Sequence, residues 1–446
     1  MNISSVVSDF VKTYSDPKKT SRLFIGFSCG VPFLLTLTIL DLWLKDCGVS
    51  NTAIGLFTLI HCPYTLKFLW ALFIDRFNFP YLSKKFGHKK GWALASQLLL
   101  FVGLSGMACT TPQTSLYGII ICASIVAFAD GCQDMSLYTY QVQSARSQQF
   151  GPIAGIFMVG YKTGMFLSKS ASLYLAHYFG WNIAYIIMAF TIFACTFFIL
   201  KIKEPKEPKN IPLTFTGNPD FLAVVKNSFA ECLIIPFQKF MEKENWQTLI
   251  WLIILFRAGD TIAQKMAKPF FVDIGFSMLE IANVVQVFGT IATLIGGILG
   301  GFLVKQKNVK VAMLYTAIFH AIACLSYVAL SIIGYDLYML YFVSFTENIT
   351  GGMMSTAFIA FLYTLCNKNH CTTQYALLWA FYDLGGAICR ITSGIAADLL
   401  GWTNFFIFSV IMFIPGIMLI HSDIRTEEHK SFYSKIKLLN IKNNKK

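Results

Sequence analysis

Residues 115–140 read SLYGIIICASIVAFADGCQDMSLYTY, a largely apolar stretch that carries Asp130 and Asp134 in its second half. An α-helix rises about 1.5 Å per residue, so about 20 such residues cross the hydrocarbon core of a bilayer. The stretch lacks the strict alternation of apolar and polar residues that is typical of a half-buried strand. It therefore predicts a membrane-spanning helix, and similar stretches follow it along the chain.

Hydrophobic residues make up 55% of the 446-residue chain and charged residues only 13%. Soluble domains are about a quarter charged, so this chain has too little polar surface to cover a water-soluble globule. Lipid offers no hydrogen-bond partners, which restricts spanning segments to helices or closed barrels, and long non-alternating runs favour helices. The sequence predicts an all-α membrane protein with twelve transmembrane helices, at 22–44, 52–74, 91–110, 115–140, 152–176, 182–201, 246–267, 278–303, 309–333, 337–366, 372–399 and 402–421.

Lysine and arginine residues concentrate in alternate connections between the predicted helices and in both terminal tails. Cytoplasmic loops of membrane proteins carry this excess, so both termini and the long central connection are predicted to be cytoplasmic. These loops account for the net charge of +13, and no nucleic-acid partner is expected. The polar first 20 residues predict no cleavable signal peptide, and the cysteines lack the spacing of a disulfide framework or metal site.

A proline- and charge-rich stretch divides the chain into two sets of six predicted helices. The predicted regions are an N-terminal bundle at 1–201, a cytoplasmic linker at 202–245 with an amphipathic surface helix around 220–241, a C-terminal bundle at 246–421 and a basic cytoplasmic tail at 422–446. The two sets also repeat, because an offset of 221 residues aligns Tyr161, Gly164 and Trp181 with Tyr382, Gly385 and Trp402. A parallel repeat of six helices is typical of 6+6 transporters, whose binding site lies between the halves near the bilayer midplane.

Polar and ionisable side chains interrupt several predicted spans. An ion at the bilayer centre costs about 2.5–3.5 kcal/mol on insertion scales, so these residues need a cavity, a partner or a function. One interpretation is a water-filled cavity in which cations and hydroxyls bind a polar substrate while a carboxylate takes up a proton. The structural alternative is ion pairing that fixes helix packing, as between Arg257 and Asp260 at i,i+3. The candidate binding residues are Tyr64, Lys67, Gln133, Tyr138, Lys162, Arg257, Asp260, Gln264, Glu347, Asn348, Gln374 and Tyr382, with Asp130 and Asp134 beside them.

Glycine pairs four residues apart recur at Gly26 and Gly30, at Gly160 and Gly164, and in an overlapping set from Gly296 to Gly301. Such pairs let membrane helices approach closely, either for rocking during transport or for static packing. The segment 26–30 also matches a nucleophile-elbow pattern but lies inside an apolar helix, and no Walker A or H-E-x-x-H motif occurs. We therefore expect no enzymatic activity, no catalytic residue, no metal and no cofactor.

Several strings resemble the AmpG muropeptide permease family. They include PYTLKFLW at 63–70, the pair Gln133-Asp134 and ENITGGM at 347–353, and the resemblance extends over about residues 22–420. It implies the major facilitator fold and import of anhydro-muropeptides across the bacterial inner membrane, driven by the proton gradient. The implied partners are the amino-sugar or peptide substrate, protons and membrane lipids, and the implied state is a monomer.

The resemblance also implies roles for individual residues. It makes Asp130, Asp134 and Glu347 candidates for proton coupling, and it makes the other polar residues of the spans candidates for substrate contact. The pair Asp75-Arg76 resembles part of the basic loop between helices 2 and 3 of major facilitators, which implies a gating loop.

The chain departs from the family pattern at several positions. Tyr138 stands where a second aspartate is typical, Asp41 where glutamine is usual, and Lys162 where arginine is common. These changes indicate a divergent paralogue with a different cargo if the missing aspartate binds substrate or protons. Heavy use of Lys, Ile and Asn is typical of AT-rich bacterial genomes, such as those of intracellular alphaproteobacteria.

Two alternatives to muropeptide import stay open at this point. The same fold could carry an anionic metabolite such as acetyl-CoA, because Lys67, Lys162 and Arg257 would serve either substrate. A non-transporting membrane sensor would instead contain dry, ion-paired helices.

Overall fold

A computed structural model of the chain describes residues 17–49, 57–76, 79, 81–202, 204, 238, 240–242, 245–366 and 371–426. Every regular element in these ranges is helical. The α-helices are α1 (Pro17–Phe33), α2 (Thr38–Asp46), α3 (Cys62–Thr65), α4 (Lys67–Arg76), α5 (Leu82–Phe86), α6 (His88–Ala108), α7 (Leu116–Ser144), α8 (Phe150–Phe179), α9 (Trp181–Lys201), α10 (Trp246–Leu255), α11 (Ala258–Ile274), α12 (Met278–Ile281), α13 (Gly289–Gln306), α14 (Val309–Ile333), α15 (Leu337–Leu365) and α16 (Cys371–Ile411). Shorter helical turns occupy Thr58–His61, Ser147–Gln149 and Ala282–Phe288.

Helical segments lie at each of the twelve predicted spans, but several of these spans are broken. Pro32 lies in the last turn of α1, and α2 then continues the first predicted span. The last two predicted spans are two helices that meet at Gly401, whose φ of 69° and ψ of 162° are not helical. Eight segments of the described chain are long and apolar enough to cross a membrane. Passage of all twelve predicted helices through the bilayer stays a prediction.

The described residues form two compact units. Unit 1 contains those up to Phe240 together with Gly297–Phe302 and Leu362–Ala380, and unit 2 contains the remainder. Unit 1 therefore includes two short segments from the second half of the chain, which the predicted boundaries had placed in the C-terminal bundle. Most of the linker, of the surface helix predicted around 220–241 and of the basic tail lies outside the described residues.

Helices α1 and α8 of unit 1 cross at very close range, with glycines on both sides of the contact. A Cβ atom added to Gly26 would lie 2.1 Å from the carbonyl oxygen of Phe157, and one added to Gly160 would lie 2.0 Å from that of Leu23. No real side chain fits at such distances. The two glycine pairs identified in the sequence thus pack against each other, as small-residue motifs do in membrane bundles.

The internal repeat reappears as repeated hydrogen bonding within each unit. In unit 1 the indole nitrogen of Trp181 donates to Asp46 Oδ2 at 2.7 Å. In unit 2 the indole nitrogen of Trp402 donates to Asp273 Oδ2 at 3.1 Å. Trp181 and Trp402 are one of the pairs that the offset of 221 residues aligns, so the sequence repeat corresponds to a repeated tertiary contact.

A second repeated contact involves aligned glycines. A Cβ added to Gly164 would lie 2.5 Å from the carbonyl oxygen of Phe27, and a Cβ added to Gly385 would lie 2.7 Å from that of Ile254. Each glycine lets its helix approach the backbone of the first helix of its own half. The two halves are therefore built on one packing plan.

Candidate functional site

Two groups of interacting polar side chains with buried carboxyls stand out among the described residues, one in each unit. The first-half cluster comprises Tyr64, Lys67, Asp130 and Asp134, from α3, α4 and α7. The second-half cluster comprises Arg257, Asp260, Gln264, His320 and Glu347, from the start of α11, from α14 and from α15.

In the first-half cluster, α7 presents its two aspartates to α3 and α4. The hydroxyl of Tyr64 donates to Asp134 Oδ2 at 2.8 Å. The ammonium of Lys67 lies 4.3 Å from the centroid of the Tyr64 ring and 5.4 Å from that of Trp379. Aromatic faces attract such cations through their quadrupole. Lys67 and both aspartates are buried, so this cation and these carboxyls share one water-poor environment.

Three of the four carboxyl oxygens in this cluster lack a hydrogen-bond partner within the described part of the chain. They are both oxygens of Asp130 and Oδ1 of Asp134. An ionised carboxylate withdrawn from water is very costly unless it is paired and hydrogen-bonded. The arrangement therefore favours a bound proton, water or ligand group at these oxygens.

Gln133 lies on α7 between the two aspartates, but its amide is engaged in helix packing. Its Nε2 donates to the carbonyl oxygen of Ser28 at 2.8 Å, and its Oε1 accepts from Gln97 Nε2 at 2.6 Å. These bonds hold α7 against α1 and α6. A substrate contact by Gln133 stays a prediction, and the packing role is what the geometry shows.

The other candidates of unit 1 are placed around this cluster or beyond it. The ring of Tyr138 stacks on Tyr375 with centroids 4.9 Å apart, Gln374 is buried, and Lys162 is half-buried on α8. Asp75 and Arg76 form the last turn of α4 rather than a loop, and their side chains lie outside the described residues. Their gating role stays a prediction.

The second-half cluster is organised around Asp260. Nε of Arg257 donates to Asp260 Oδ2 at 2.9 Å, and its Nη2 donates to the same oxygen. Gln264 Nε2 donates to Asp260 Oδ1 at 2.8 Å and to Glu347 Oε1 at 3.1 Å. The ion pair between Arg257 and Asp260 that the sequence suggested as a structural alternative is thus present, and Gln264 links it to Glu347.

His320 completes this cluster, and its position there was not predicted from the sequence. It is fully buried on α14, with Nε2 lying 2.9 Å from Asp260 Oδ1 and Nδ1 lying 2.8 Å from Thr350 Oγ1. A histidine in an otherwise apolar membrane span was the available signal. Helical periodicity alone could not show that α14 turns this ring toward α11 and α15.

Two further candidates of unit 2 make packing contacts. Asn348 donates to the carbonyl oxygen of Ser344 and accepts from the hydroxyl of Thr293, both at 2.9 Å, which joins α15 to α13. The ring of Tyr382 lies 5.2 Å from that of Phe358. Substrate contacts by these side chains stay predictions.

Asp260, His320 and Glu347 are also the group of described residues whose ligand atoms lie close enough, within 4.8 Å of one another, to hold a metal ion. However, both oxygens of Asp260 already accept hydrogen bonds, from Arg257, Gln264 and His320. A divalent cation would have to displace some of these hydrogen bonds. The arrangement fits a hydrogen-bonded ion cluster better than a metal centre.

Comparison with known proteins identifies the class and the family. Residues 22–389 match the Major Facilitator Superfamily. In the solved structures, the fold is similar to that of FucP, a major facilitator transporter in the outward conformation, with a TM-score of 0.66 and 12% identity over 92% of this chain and 99% of FucP. The chain is therefore a multi-pass membrane transporter of the Major Facilitator Superfamily, and transporters of this kind are not enzymes.

Curated relatives narrow the family. The chain is 30% identical to the anhydromuropeptide permease of Escherichia coli K12 over 415 residues, which cover 93% of this chain and 81% of the permease. It is 31% identical to the putative transporter AmpG 1 of Rickettsia bellii over 398 residues, covering 89% of this chain and 95% of that protein. Within the superfamily, this protein belongs to the AmpG permease family, and the resemblance seen in the sequence is confirmed.

Proposed function

We propose that this protein imports anhydro-muropeptides from the periplasm to the cytoplasm by alternating access, with protons as the coupling ion. The observation that carries the proposal is the 30% identity to an anhydromuropeptide permease along 93% of the chain. Location in a bacterial inner membrane, twelve spanning helices, cytoplasmic termini and a monomeric state belong to the same proposal.

The first-half cluster supports the coupling part of the proposal. Asp130 and Asp134 are buried on adjacent turns of α7 and leave three oxygens without a described partner. One proton on this pair would leave a single carboxylate opposite the Lys67 ammonium, and the net charge would then be zero. We assign the coupled proton to this aspartate pair because charge neutrality is the inexpensive state in a water-poor interior.

Lys67 supports the substrate part. Its ammonium has the faces of Tyr64 and Trp379 as partners, so it can still meet an anionic group of a ligand. Peptide carboxylates of muropeptides are such groups, and aromatic faces suit the apolar faces of sugar rings. The anionic cargo considered as an alternative, acetyl-CoA, would use the same cation.

The test is uptake of labelled anhydro-muropeptide by purified protein in liposomes with an imposed pH gradient, acid outside. We expect accumulation above the external concentration that vanishes when a protonophore collapses the gradient. Liposomes without protein are the control for leakage. If the wild-type protein moves no anhydro-muropeptide into the liposomes, the proposed substrate is wrong. If accumulation does not depend on the pH gradient, the proposed proton coupling is wrong.

Acetyl-CoA serves as the competitor in the same experiment. We expect a large excess of it to leave muropeptide uptake intact. Strong competition, followed by direct uptake of labelled acetyl-CoA, would favour the alternative cargo. Binding of anhydro-muropeptide without transport of either compound would favour a sensor.

A further inference from the structure

Both ring nitrogens of His320 have hydrogen-bond partners on neighbouring helices. Asp260 Oδ1 lies 2.9 Å from Nε2. The carboxyl of Asp260 accepts two bonds from the guanidinium of Arg257, which identifies it as ionised. Because an ionised carboxylate can only accept hydrogen bonds, Nε2 of His320 must carry a hydrogen atom.

The second nitrogen, Nδ1, faces the hydroxyl of Thr350 at 2.8 Å. That hydroxyl donates its own hydrogen to the backbone carbonyl oxygen of Thr346 at 2.7 Å. The oxygen of Thr350 is then left to accept from Nδ1–H. A neutral imidazole has only one N–H group, so these contacts fit the doubly protonated, cationic form of His320.

The charge of the cluster is balanced in this form. With His320 protonated, the two cations Arg257 and His320 balance the two carboxylates Asp260 and Glu347. Loss of that proton would leave one uncompensated negative charge at a site where His320, Asp260 and Glu347 are all buried. Such a charge is costly in a low-dielectric interior, so the cluster retains one proton that it can give up only when its surroundings change.

We propose that His320 binds a second coupled proton, so that each half of the transporter carries one proton per cycle. The inference rests on the proposed proton-coupled uptake and extends it to a stoichiometry of two. The donor and acceptor atoms of His320, Asp260 and Glu347 all lie within 4.8 Å. Transfer breaks the Nε2–H bond of His320 and forms an O–H bond on Glu347, which leaves the net charge of the cluster unchanged. Glu347 then releases the proton to water.

Few other groups face the imidazole. On its own helix, the sulfur of Cys324 lies 4.0 Å from Nε2. Arg257 and Asp260 face it from α11 and Glu347 from α15, and the ring of Phe413 packs edge-on with centroids 5.5 Å apart. The carboxylates are therefore the groups within this set that can exchange a proton with His320.

The protonation state can be measured without any transport. The chain has seven histidines, so nitrogen-15 labelling of histidine gives a small set of resonances, and the His320→Gln variant identifies the one from His320. At pH 7.5, where ordinary histidines are mostly neutral, we expect the His320 ring to show two protonated nitrogens. A neutral ring for His320 at this pH would overturn the proposal whatever the cargo is.

The stoichiometry is measured in liposomes with the membrane potential clamped to zero and a pH gradient of one unit. Two coupled protons predict about a hundredfold accumulation and one proton about tenfold, because each proton contributes one factor of ten. We expect the wild-type protein to reach about hundredfold accumulation. The double variant His320→Gln/Glu347→Gln, whose cluster is again neutral, should still transport but reach only about tenfold accumulation. Equal accumulation by the two would overturn the proposal.

A matched control is His61→Gln, because His61 is also a buried membrane histidine but bonds to the hydroxyl of Thr36 at 2.9 Å. We expect this variant to keep the wild-type proton ratio. A sodium gradient at constant pH that drives accumulation would show that the second site takes a metal cation, which also overturns the proposal. Wild-type accumulation of only about tenfold would contradict the second proton while leaving the proposed function intact.

Discussion

The two clusters contain similar groups but satisfy them in opposite ways. In the first half, two aspartates share one helix, and three of their four oxygens lack a described partner. In the second half, the carboxyls come from two helices. Arg257, His320 and Gln264 all bond to Asp260, and Gln264 also bonds to Glu347. The contrast teaches that buried charged residues of the same type differ in role once their partners are known. Three carboxyl oxygens of the first cluster need a proton or a ligand, whereas the charges of the second cluster balance one another when His320 is protonated.

The largest expected effect comes from breaking the neutral cluster. Arg257→Gln leaves Asp260 and Glu347 with only His320 as a cation. Removing one partner of a buried ion pair costs about 3–5 kcal/mol, so we expect a marked fall in the melting temperature of the detergent-purified protein. The matched variant Lys67→Gln also removes a buried cation, but the aspartates of the first-half cluster can take up a second proton in its place. It should therefore lower the melting temperature much less.

The double variant Arg257→Gln/Asp260→Asn is the control for this comparison. It removes both charges of the pair, so we expect it to recover most of the lost stability. If Arg257→Gln melted at the same temperature as Lys67→Gln, the two clusters would not differ in the way that their hydrogen bonds indicate.

A second prediction compares the helix crossings of the two halves. A Cβ on Gly160 would lie 2.0 Å from a backbone oxygen, whereas a Cβ on Gly385 would lie 2.7 Å from one. Overpacking of a tight contact costs about 1–3 kcal/mol. We expect Gly160→Ala to lower the melting temperature more than Gly385→Ala does, and the reverse order would contradict the tighter crossing in the first half.

The third prediction concerns the partly unsatisfied carboxyls. Asp134→Asn keeps an oxygen that can accept from Tyr64 but cannot exchange a proton, so expression should be retained. We expect accumulation driven by a pH gradient of one unit to fall at least about tenfold, the contribution of one proton. Asp41→Asn, which changes a half-buried carboxylate outside the first-half cluster, is the control. Unchanged accumulation by Asp134→Asn would refute its coupling role.

The smallest expected effect concerns substrate charge. Lys67→Gln should weaken binding of peptide-bearing anhydro-muropeptides by several-fold, because one partly screened ion pair contributes about 1 kcal/mol. Binding of the disaccharide without peptide should change less. Equal losses for both ligands, measured by competition, would indicate that Lys67 stabilises packing only.

Local features of the sequence predicted much of the architecture. The helices at 309–333 and 337–365 begin and end within a residue of their predicted bounds, because long apolar runs with polar or glycine ends specify membrane helices directly. The break after Pro32 was not predicted, because it lies inside a hydrophobic stretch without a change in composition. The break at Gly401 lies at the predicted boundary between the last two spans.

The candidate site was predicted unevenly. The i,i+3 pair Arg257 and Asp260 was visible because both residues lie on one helical face. The assignment of Gln133 and Asn348 to packing was not visible, because their partners, Ser28 and Thr293, come from distant segments. His320 was missed for the same reason.

The sequence by itself determined that this chain crosses a membrane as helices, that its halves repeat and that it belongs to the AmpG family, because hydropathy, spacing and long identical strings are local properties. Only the tertiary structure decided which buried charges are neutralised and which are left in need of a proton, because that depends on which helices face each other. Burial within a membrane makes every unpaired charge costly. The partners of a side chain, rather than its residue type, therefore determine whether it is neutralised here.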